Sequence, residues 1–244
     1  MKARFDAAVI GAGVMGCATA LFLARGGMRV VLLDRGEICR EASGVNAGTL
    51  TMQMTRAALI PYALHAHEMW MNMPAWCAGG DVLATACPGL SVAFTDAEAA
   101  MLEERARIRR EAGAPIELID GRAAQAIEPG LADGVKLAGH CPIDGFASAY
   151  LTGRAFRAAL QEAGVTLMEA TPVRGIDGRF VLDTSAGAVA AQRVVLAGAV
   201  WLQDMAAWLG VTLPIKVLIN QLVVTERMPP VMRTVLGVAS GLLS

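Results

Sequence analysis

Short apolar runs and one helical pattern alternate at the start of the chain. Ala7–Ile10 is a continuous apolar run, Val14–Arg25 carries apolar residues at helical spacing, and Arg29–Leu33 contains a second apolar run. A short continuous apolar run is typical of a buried parallel strand, and Gly26-Gly27 ends the intervening helix. The pattern therefore predicts a β-α-β unit, which is the building block of an α/β fold with a parallel sheet.

The rest of the chain continues with helices and short strands in turn. Thr95 and Glu98 have the spacing of a capping box and predict the start of a charged helix that ends at Gly113. Val194–Ala197 is another continuous apolar run, which indicates a central parallel strand. Further helices are predicted over residues 55–73, 120–128 and 148–163, and further strands over residues 90–94, 135–138, 165–168, 173–176, 180–183 and 221–225.

Composition excludes two broad classes of protein. With 244 residues, 55% of them hydrophobic and 18% charged, the chain can bury a large core, so intrinsic disorder is excluded. The 21 basic and 22 acidic residues leave a net charge of −1, without the basic excess that nucleic-acid binding needs. The five cysteines are odd in number and form no C-x-x-C pair, so free thiols in a reducing cytoplasm are expected.

One segment imitates a membrane span. Ala7–Ala24 contains 18 residues without a charge, and the basic start of the chain resembles a signal peptide. Against this interpretation, the segment holds three glycines at the spacing of a Rossmann motif and is followed by the second apolar run. The favoured interpretation is a buried strand followed by its helix, with no transmembrane span.

The glycines form the main chemical motif. Gly11, Gly13 and Gly16 make the pattern G-x-G-x-x-G between the first strand and the first helix, where backbone N–H groups can face a pyrophosphate. Asp34 ends the second strand, and its carboxylate can accept hydrogen bonds from ribose hydroxyls. These residues predict a dinucleotide site and argue against a 2′-phosphorylated cofactor, but they leave NAD and FAD open.

A resemblance to a known family, carried by four separated segments, favours FAD over NAD. The N-terminal glycine motif, Leu33-Asp34-Arg35 with the small-residue loop Glu41–Gly48, the stretch Ala170–Ile176 and the run Val194–Trp201 together resemble the D-amino-acid oxidase-like (DAO) family of FAD-dependent oxidoreductases. The family includes glycine oxidase, sarcosine oxidase, D-amino-acid dehydrogenase and the flavin subunits of opine and hydroxyproline dehydrogenases. The resemblance implies FAD as the cofactor and assigns no catalytic residue. It implies that the FAD is held by Gly11, Gly13, Val14, Met15, Gly16, Asp34, Arg35, Ala42, Ser43, Asn46, Ala47, Gly48, Thr49, Val173, Ala197, Gly198 and Trp201.

The resemblance also implies the fold and the domain organisation. We expect an α/β protein whose Rossmann-like, GR2-type FAD-binding domain comprises residues 1–82 and 145–205. A smaller substrate domain with a mixed sheet of α+β type would comprise residues 83–144 and 206–244. Family members continue well beyond the position of Ser244, so the chain is expected to be a fragment or to be completed by a second polypeptide.

The implied reaction is oxidation of the C–N bond of an amino acid or a secondary amine. Hydride passes to flavin N5, and water then hydrolyses the imine. Electrons would go to oxygen or to a respiratory acceptor. Residues 144–154 and 225–226 favour a dehydrogenase of the opine or hydroxyproline type. The expected location is cytoplasmic, with peripheral attachment to the inner membrane as an alternative. Two further functions stay open, a flavin-binding subunit that is inactive without its partner and an NAD-dependent dehydrogenase.

Other candidate sites have simpler explanations. His65 and His67 are two apart in a predicted helix, so their side chains diverge and cannot share a metal. His140-Cys141 has no third ligand in the sequence, and no metal site is predicted. Ser43 lacks the surrounding G-x-S-x-G motif of a hydrolase nucleophile.

Overall fold

The computed structural model describes residues 5–226 and 228–242. Contacts between Cα atoms divide the chain into two units, each assembled from three segments. Unit 1 contains residues 5–46, 73–82 and 149–222, and unit 2 contains residues 47–72, 83–148 and the described residues from 223 onwards.

In chain order, the strands of the described residues are β1 Ala7–Ile10, β2 Val30–Leu33, β3 Thr49–Leu50, β4 Thr85–Ala86, β5 Gly89–Ala93, β6 Glu117–Asp120, β7 Leu137–Cys141, β8 Gly145–Phe146, β9 Thr166–Met168, β10 Val173–Ile176, β11 Val181–Thr184, β12 Val189–Ala190, β13 Val194–Leu196 and β14 Val235–Val238. The α-helices are α1 Val14–Arg25, α2 Ile60–Met71, α3 Met73–Trp76, α4 Asp96–Glu111, α5 Gly121–Ile127, α6 Ala149–Glu162 and α7 Leu202–Ala207, and short 3₁₀ helices cover Ala57–Leu59, Ala199–Trp201 and Ala239–Leu242.

Unit 1 is built on a parallel sheet in the order β13-β1-β2-β9. Every residue of β1 and β2 is buried, which explains why both strands are continuous apolar runs in the sequence. The predicted β-α-β unit and the α/β fold class are confirmed. The strand β13 is parallel as predicted, but the prediction that it is central is wrong. It pairs only with β1 among the described strands, and its half-buried side chains fit an edge position.

Helix α1 is the crossover of this unit. It begins after Gly13, ends at Gly26, and contacts β1, β2 and α6. Its Phe22 ring stacks on Trp76, whose other neighbour, Phe156 of α6, is 1% exposed. These ring contacts connect α1 to α3 and α6, while the buried Cys17, Ala20 and Leu21 form the apolar face of the helix.

Unit 2 contains a mixed sheet in the order β14-β5-β7-β6. Here β5 pairs with β14 in parallel and with β7 in antiparallel orientation. The predicted capping box is present, because the Thr95 side chain accepts from the Glu98 N–H and the Glu98 carboxylate accepts from the Thr95 N–H. The mixed sheet with α4 and α5 agrees with the α+β class expected for the smaller domain.

One predicted strand is wrong. Residues 221–225 form no strand, and all five are exposed. A β-branched run becomes a strand only where a neighbouring strand accepts its hydrogen bonds, and no described strand pairs with these residues. The parallel strand β14, which lies ten residues further on, was not predicted.

The two units and the predicted domains differ in residues 47–72, 145–148 and 206–222; the short segment 145–148, predicted in the FAD-binding domain, belongs to unit 2. Residues 47–72 also belong to unit 2, where β3 pairs with β8. Residues 206–222 belong to unit 1. The domain boundaries therefore stay a prediction. Within the described ranges, no helix combines the length and apolar character that crossing a bilayer requires.

Candidate cofactor-binding site

A cleft of about 500 Å³ lies in unit 1 at the carboxyl ends of β1, β2 and β13. Ligands of open parallel sheets bind at this edge. The cleft is lined by Ile10, Gly11, Gly13, Leu33, Asp34, Arg35, Glu41, Ala42, Ser43, Val45, Thr171, Pro172, Val173, Ala197, Gly198, Ala199, Val200, Trp201, Asp204, Met205 and Trp208.

The turn after β1 is too tightly packed for side chains. Gly11 has φ +106°, a conformation that favours glycine, and a Cβ there would lie 2.5 Å from the Ala197 carbonyl oxygen. A Cβ on Gly16 would overlap the carbonyl oxygen of Gly11. The backbones of β1, α1 and the turn after β13 therefore meet in direct contact.

The start of α1 can receive a phosphate group. A Cβ on Gly13 would lie 3.1 Å from Ser43 Oγ. Because glycine has no Cβ, a phosphate group can approach the backbone closely at this position. Ser43 Oγ accepts a hydrogen bond of 3.0 Å from the Val14 N–H. The first turn of α1 carries no acidic residue that would compete with a phosphate for its N–H groups.

Asp34 connects the glycine turn to the loop after β2. Its Oδ2 accepts from the Ala12 N–H at 2.6 Å, and its Oδ1 accepts from the Gly36 N–H at 2.8 Å. A carboxylate offers about four acceptor positions. Two of them are therefore left for ribose hydroxyls, which fits a nucleotide in the cleft.

Buried thiols support the same turn from the other side. Cys17 Sγ donates to the Ala12 carbonyl oxygen at 3.3 Å, and Cys39 Sγ donates to the same oxygen at 3.6 Å. The neighbouring Cys39 thiol and burial raise the pKa of Cys17 far above its ordinary value. The thiol is thus protonated at neutral pH, and it acts as a hydrogen-bond donor rather than as a nucleophile.

The partly exposed ion pair of Arg157 and Glu169 holds the loop after Asp34 at Ile38. Glu169 accepts two hydrogen bonds from the Arg157 guanidinium, at 2.5 and 2.7 Å, and one of 2.7 Å from the Ile38 N–H. The Arg157 guanidinium, together with the Ile38 N–H, holds the pKa of the Glu169 carboxyl below its ordinary value. Because the folded pKa is lowered, the stabilisation is complete above the unfolded value of about 4.3 and is lost as pH falls from there through the folded pKa.

We expect Glu169→Gln to lower the free energy of unfolding by about 1 kcal/mol near pH 7, since it removes a bidentate charged pair that water partly screens. The difference from the parent protein should shrink as pH falls below about 4.3. Urea unfolding over a pH series measures both effects. Glu162→Gln, on the exposed end of the same helix as Arg157, is the control. A gap that stays constant down to low pH would contradict the role of the carboxylate charge.

Most residues predicted to bind the cofactor line this cleft. They come from four separate segments of the sequence. Three of these segments follow the parallel strands β1, β2 and β13, whereas Val173 begins β10 of a separate antiparallel sheet. The residues are Gly11, Gly13, Asp34, Arg35, Ala42, Ser43, Val173, Ala197, Gly198 and Trp201.

The other predicted residues do not line it. Gly16 supports the turn, Val14 donates its N–H to Ser43, and the Asn46 side chain donates to the carbonyl oxygens of residues 42 and 43. Met15 is 72% exposed at the start of α1. Three predicted residues belong to unit 2, and their part in cofactor binding stays a prediction: Ala47, Gly48 and Thr49.

Several residues of the cleft were not predicted as site residues. Met205 and Trp208 follow Trp201 at the helical spacing i+4 and i+7, a signal that could have found them. Thr171 and Pro172 directly precede the predicted Val173, in the stretch Ala170–Ile176 that the resemblance includes, and this adjacency could have found them. In the part of the chain that the structure describes, no group of three or more His, Cys, Asp or Glu side chains could hold a metal ion.

Comparisons of the sequence agree with this geometry. A family model for FAD dependent oxidoreductases, DAO, matches residues 6–240. Glycine oxidase of Geobacillus kaustophilus (strain HTA426) is 30% identical over 254 aligned positions, which cover 99% of this chain and 67% of that protein. An opine oxidase subunit from Agrobacterium tumefaciens (strain Ach5) is 28% identical, with 91% of this chain and 63% of that protein covered.

Solved structures give the same result. The crystal structure of glycine oxidase from Geobacillus kaustophilus matches with a TM-score of 0.77 and 31% identity, covering 86% of this chain and 59% of that chain. L-proline dehydrogenase from P. horikoshii matches with a TM-score of 0.78 at 24% identity, covering 86% of this chain and 57% of that chain, which shows a shared fold. The chain thus spans less than two thirds of the length of these two structures.

Proposed function

The chain belongs to the DAO family of FAD-dependent oxidoreductases, and we propose that its unit 1 binds FAD in the cleft above β1, β2 and β13. Family membership confirms the resemblance that the sequence motifs indicated, and it assigns FAD between the two dinucleotides that the glycine motif left open.

One observation carries the proposal. The glycine turn, the amino end of α1 and the Asp34 carboxylate lie together in one cleft, as a pyrophosphate and its adjoining ribose require. Gly11 and Gly13 let the backbone approach the phosphates, and Ser43 fixes the first turn of α1 through the Val14 N–H. Asp34 accepts from ribose hydroxyls with the acceptor positions that the backbone leaves open.

The proposed reaction is oxidation of the C–N bond of an amino acid or a secondary amine. When bound, FAD would supply the two-electron chemistry of this oxidation, which converts the amine to an imine that water hydrolyses. Amino-acid oxidation is supported by the glycine oxidase relative, which is 30% identical. The part of this chain is to bind and orient the cofactor, and no catalytic side chain is assigned.

Electron acceptor and location belong to the same proposal. Oxygen and a respiratory acceptor are both compatible with the family as electron acceptors. The proposed location is the cytoplasm, where the protein is either free or attached peripherally to the inner membrane. The preference for a dehydrogenase of the opine or hydroxyproline type stays a prediction.

A second candidate is a flavin-binding subunit that needs a further polypeptide for activity. It is favoured by the matches to opine oxidase subunits, proteins whose names describe one part of an assembly. The proposed FAD site is the same in both candidates, so they differ only in turnover by the isolated chain.

Cofactor binding is tested by the absorption spectrum of the purified protein. We expect the two visible bands of oxidised flavin, with near-stoichiometric FAD released on denaturation. Protein that is colourless and takes up no FAD on reconstitution would reject the proposed cofactor site.

Turnover separates the two candidates. Dye reduction should be measured with glycine, sarcosine, proline, D-amino acids and opines as substrates. Reduction by one of them supports the complete enzyme, whereas FAD-loaded protein that reduces no dye with any substrate supports the partner-dependent subunit.

A further inference from the structure

The side chain of Arg35 links two segments that border the nucleotide cleft. Its guanidinium carbon lies 3.8 Å from the centroid of the Trp201 ring, and its Nη2 lies 3.1 Å from Glu41 Oε1. Arg35 follows β2, whereas Trp201 lies in the 3₁₀ helix after β13. All three side chains belong to residues that line the cleft.

The strand order places the two residues of this contact on opposite sides of β1. In the order β13-β1-β2, the strands β13 and β2 flank β1 on opposite sides. The glycine turn follows β1. A contact between Arg35 and Trp201 therefore joins the two segments on either side of that turn.

The aromatic contact is the stronger part of this arrangement. A guanidinium within about 6 Å of a tryptophan centroid is attracted to the ring face, and tryptophan is the best partner for it. The ion pair with Glu41 contributes less, because the Arg35 and Glu41 side chains are 52% and 65% exposed and water screens their charges.

We propose that the stack of Arg35 on Trp201, here named the clasp, holds the nucleotide cleft in its binding shape before FAD enters. The inference rests on the proposed FAD site and deepens it. Backbone hydrogen bonds of the sheet attach β2 and β13 to β1, whereas the clasp joins the segments that follow them directly. With the clasp closed, Asp34 and the Ala197-Gly198 turn keep their positions relative to the amino end of α1.

A preformed cleft raises affinity without a new contact to the ligand. The measured dissociation constant equals the intrinsic one divided by the fraction of free protein in the competent shape. Opening the clasp lowers that fraction. Removal of either partner should therefore have the same effect on FAD binding as removal of both.

The experiment is a double-mutant cycle with Arg35→Met and Trp201→Leu. Each single variant is expected to raise the FAD dissociation constant about tenfold, and the double variant should also raise it about tenfold. Arg35→Lys should not restore affinity, since an ammonium lacks the planar face that stacks on the indole. Arg40→Met is the matched control, because Arg40 lies in the same loop, pairs with the exposed Glu37 at 3.4 Å and does not line the cleft.

Calorimetric titration of FAD-free protein gives the constants, and thermal unfolding of the same samples separates binding from stability. Because the clasp stabilises the free protein, the FAD-free Arg35 variants should melt a few degrees below the Arg40 control, in one cooperative transition and well above the temperature of the titration. Two results would overturn it: single variants with unchanged affinity, or a double variant weakened about a hundredfold, which would show independent contributions. Parent protein that binds no FAD at all would reject the proposed function, and the clasp with it.

Discussion

Gly16→Ala is expected to abolish tight FAD binding, with a rise in the dissociation constant of about a hundredfold or more. The new methyl group would overlap the carbonyl oxygen of Gly11, which is backbone and cannot rotate away. The turn must then shift, and Gly11 is already in close contact with the carbonyl group of Ala197. Overpacking of this kind costs about 1–3 kcal/mol of stability and moves the N–H groups that would face the phosphates.

A second variant keeps this prediction testable if Gly16→Ala fails to fold. The Cβ of Gly13→Ala would meet Ser43 Oγ, a side-chain atom that can move aside. The FAD-free variant should therefore unfold close to the parent temperature, yet the methyl group stands where the pyrophosphate approaches. Gly175→Ala is the matched control, since a methyl group on that glycine of unit 1 would have no atom within 4 Å. FAD affinities of Gly16→Ala and Gly13→Ala within about threefold of the parent would contradict the assignment of the turn to the phosphates.

The features that could be predicted from the sequence are local ones. The strands β1 and β2 are apolar because both of their faces are buried, and the capping box at Thr95 is read directly from residues three apart. The glycine motif is equally local, because its turn lies between adjacent elements. Family resemblance added the segments around Ser43 and Val173.

The features that could not be predicted depend on which strands become neighbours. The contact of Arg35 with Trp201 joins residues far apart in the chain, and only the order β13-β1-β2 brings them together. Strand pairing also decides two other features. Among the described strands, β13 has a partner on one side only, and residues 221–225 have no partner strand. An apolar run indicates that a segment can form a strand, but whether it pairs, and on how many sides, is set by the rest of the sheet.

Asp34→Asn is expected to weaken FAD binding by about tenfold to a hundredfold. In the folded chain the carboxylate accepts from the N–H groups of Ala12 and Gly36, one on each oxygen. An asparagine offers one acceptor oxygen and one amide group, so one of these N–H groups would face a donor. The substitution also removes acceptor positions for ribose. Asp183→Asn, an exposed acid on β11, is the control and should leave the FAD affinity unchanged.

Loss of affinity alone does not separate support of the turn from contact with ribose, but the ligand can be varied as well as the residue. ADP carries the pyrophosphate and ribose without the flavin, and 2′-deoxy-ADP lacks one hydroxyl. Parent protein should bind ADP several-fold more tightly than 2′-deoxy-ADP, whereas Asp34→Asn should bind both equally, because the acceptor for that hydroxyl is gone. If the parent protein binds the two ligands equally and Asp34→Asn weakens both alike, then Asp34 acts only by holding the glycine turn, and the ribose contact is refuted.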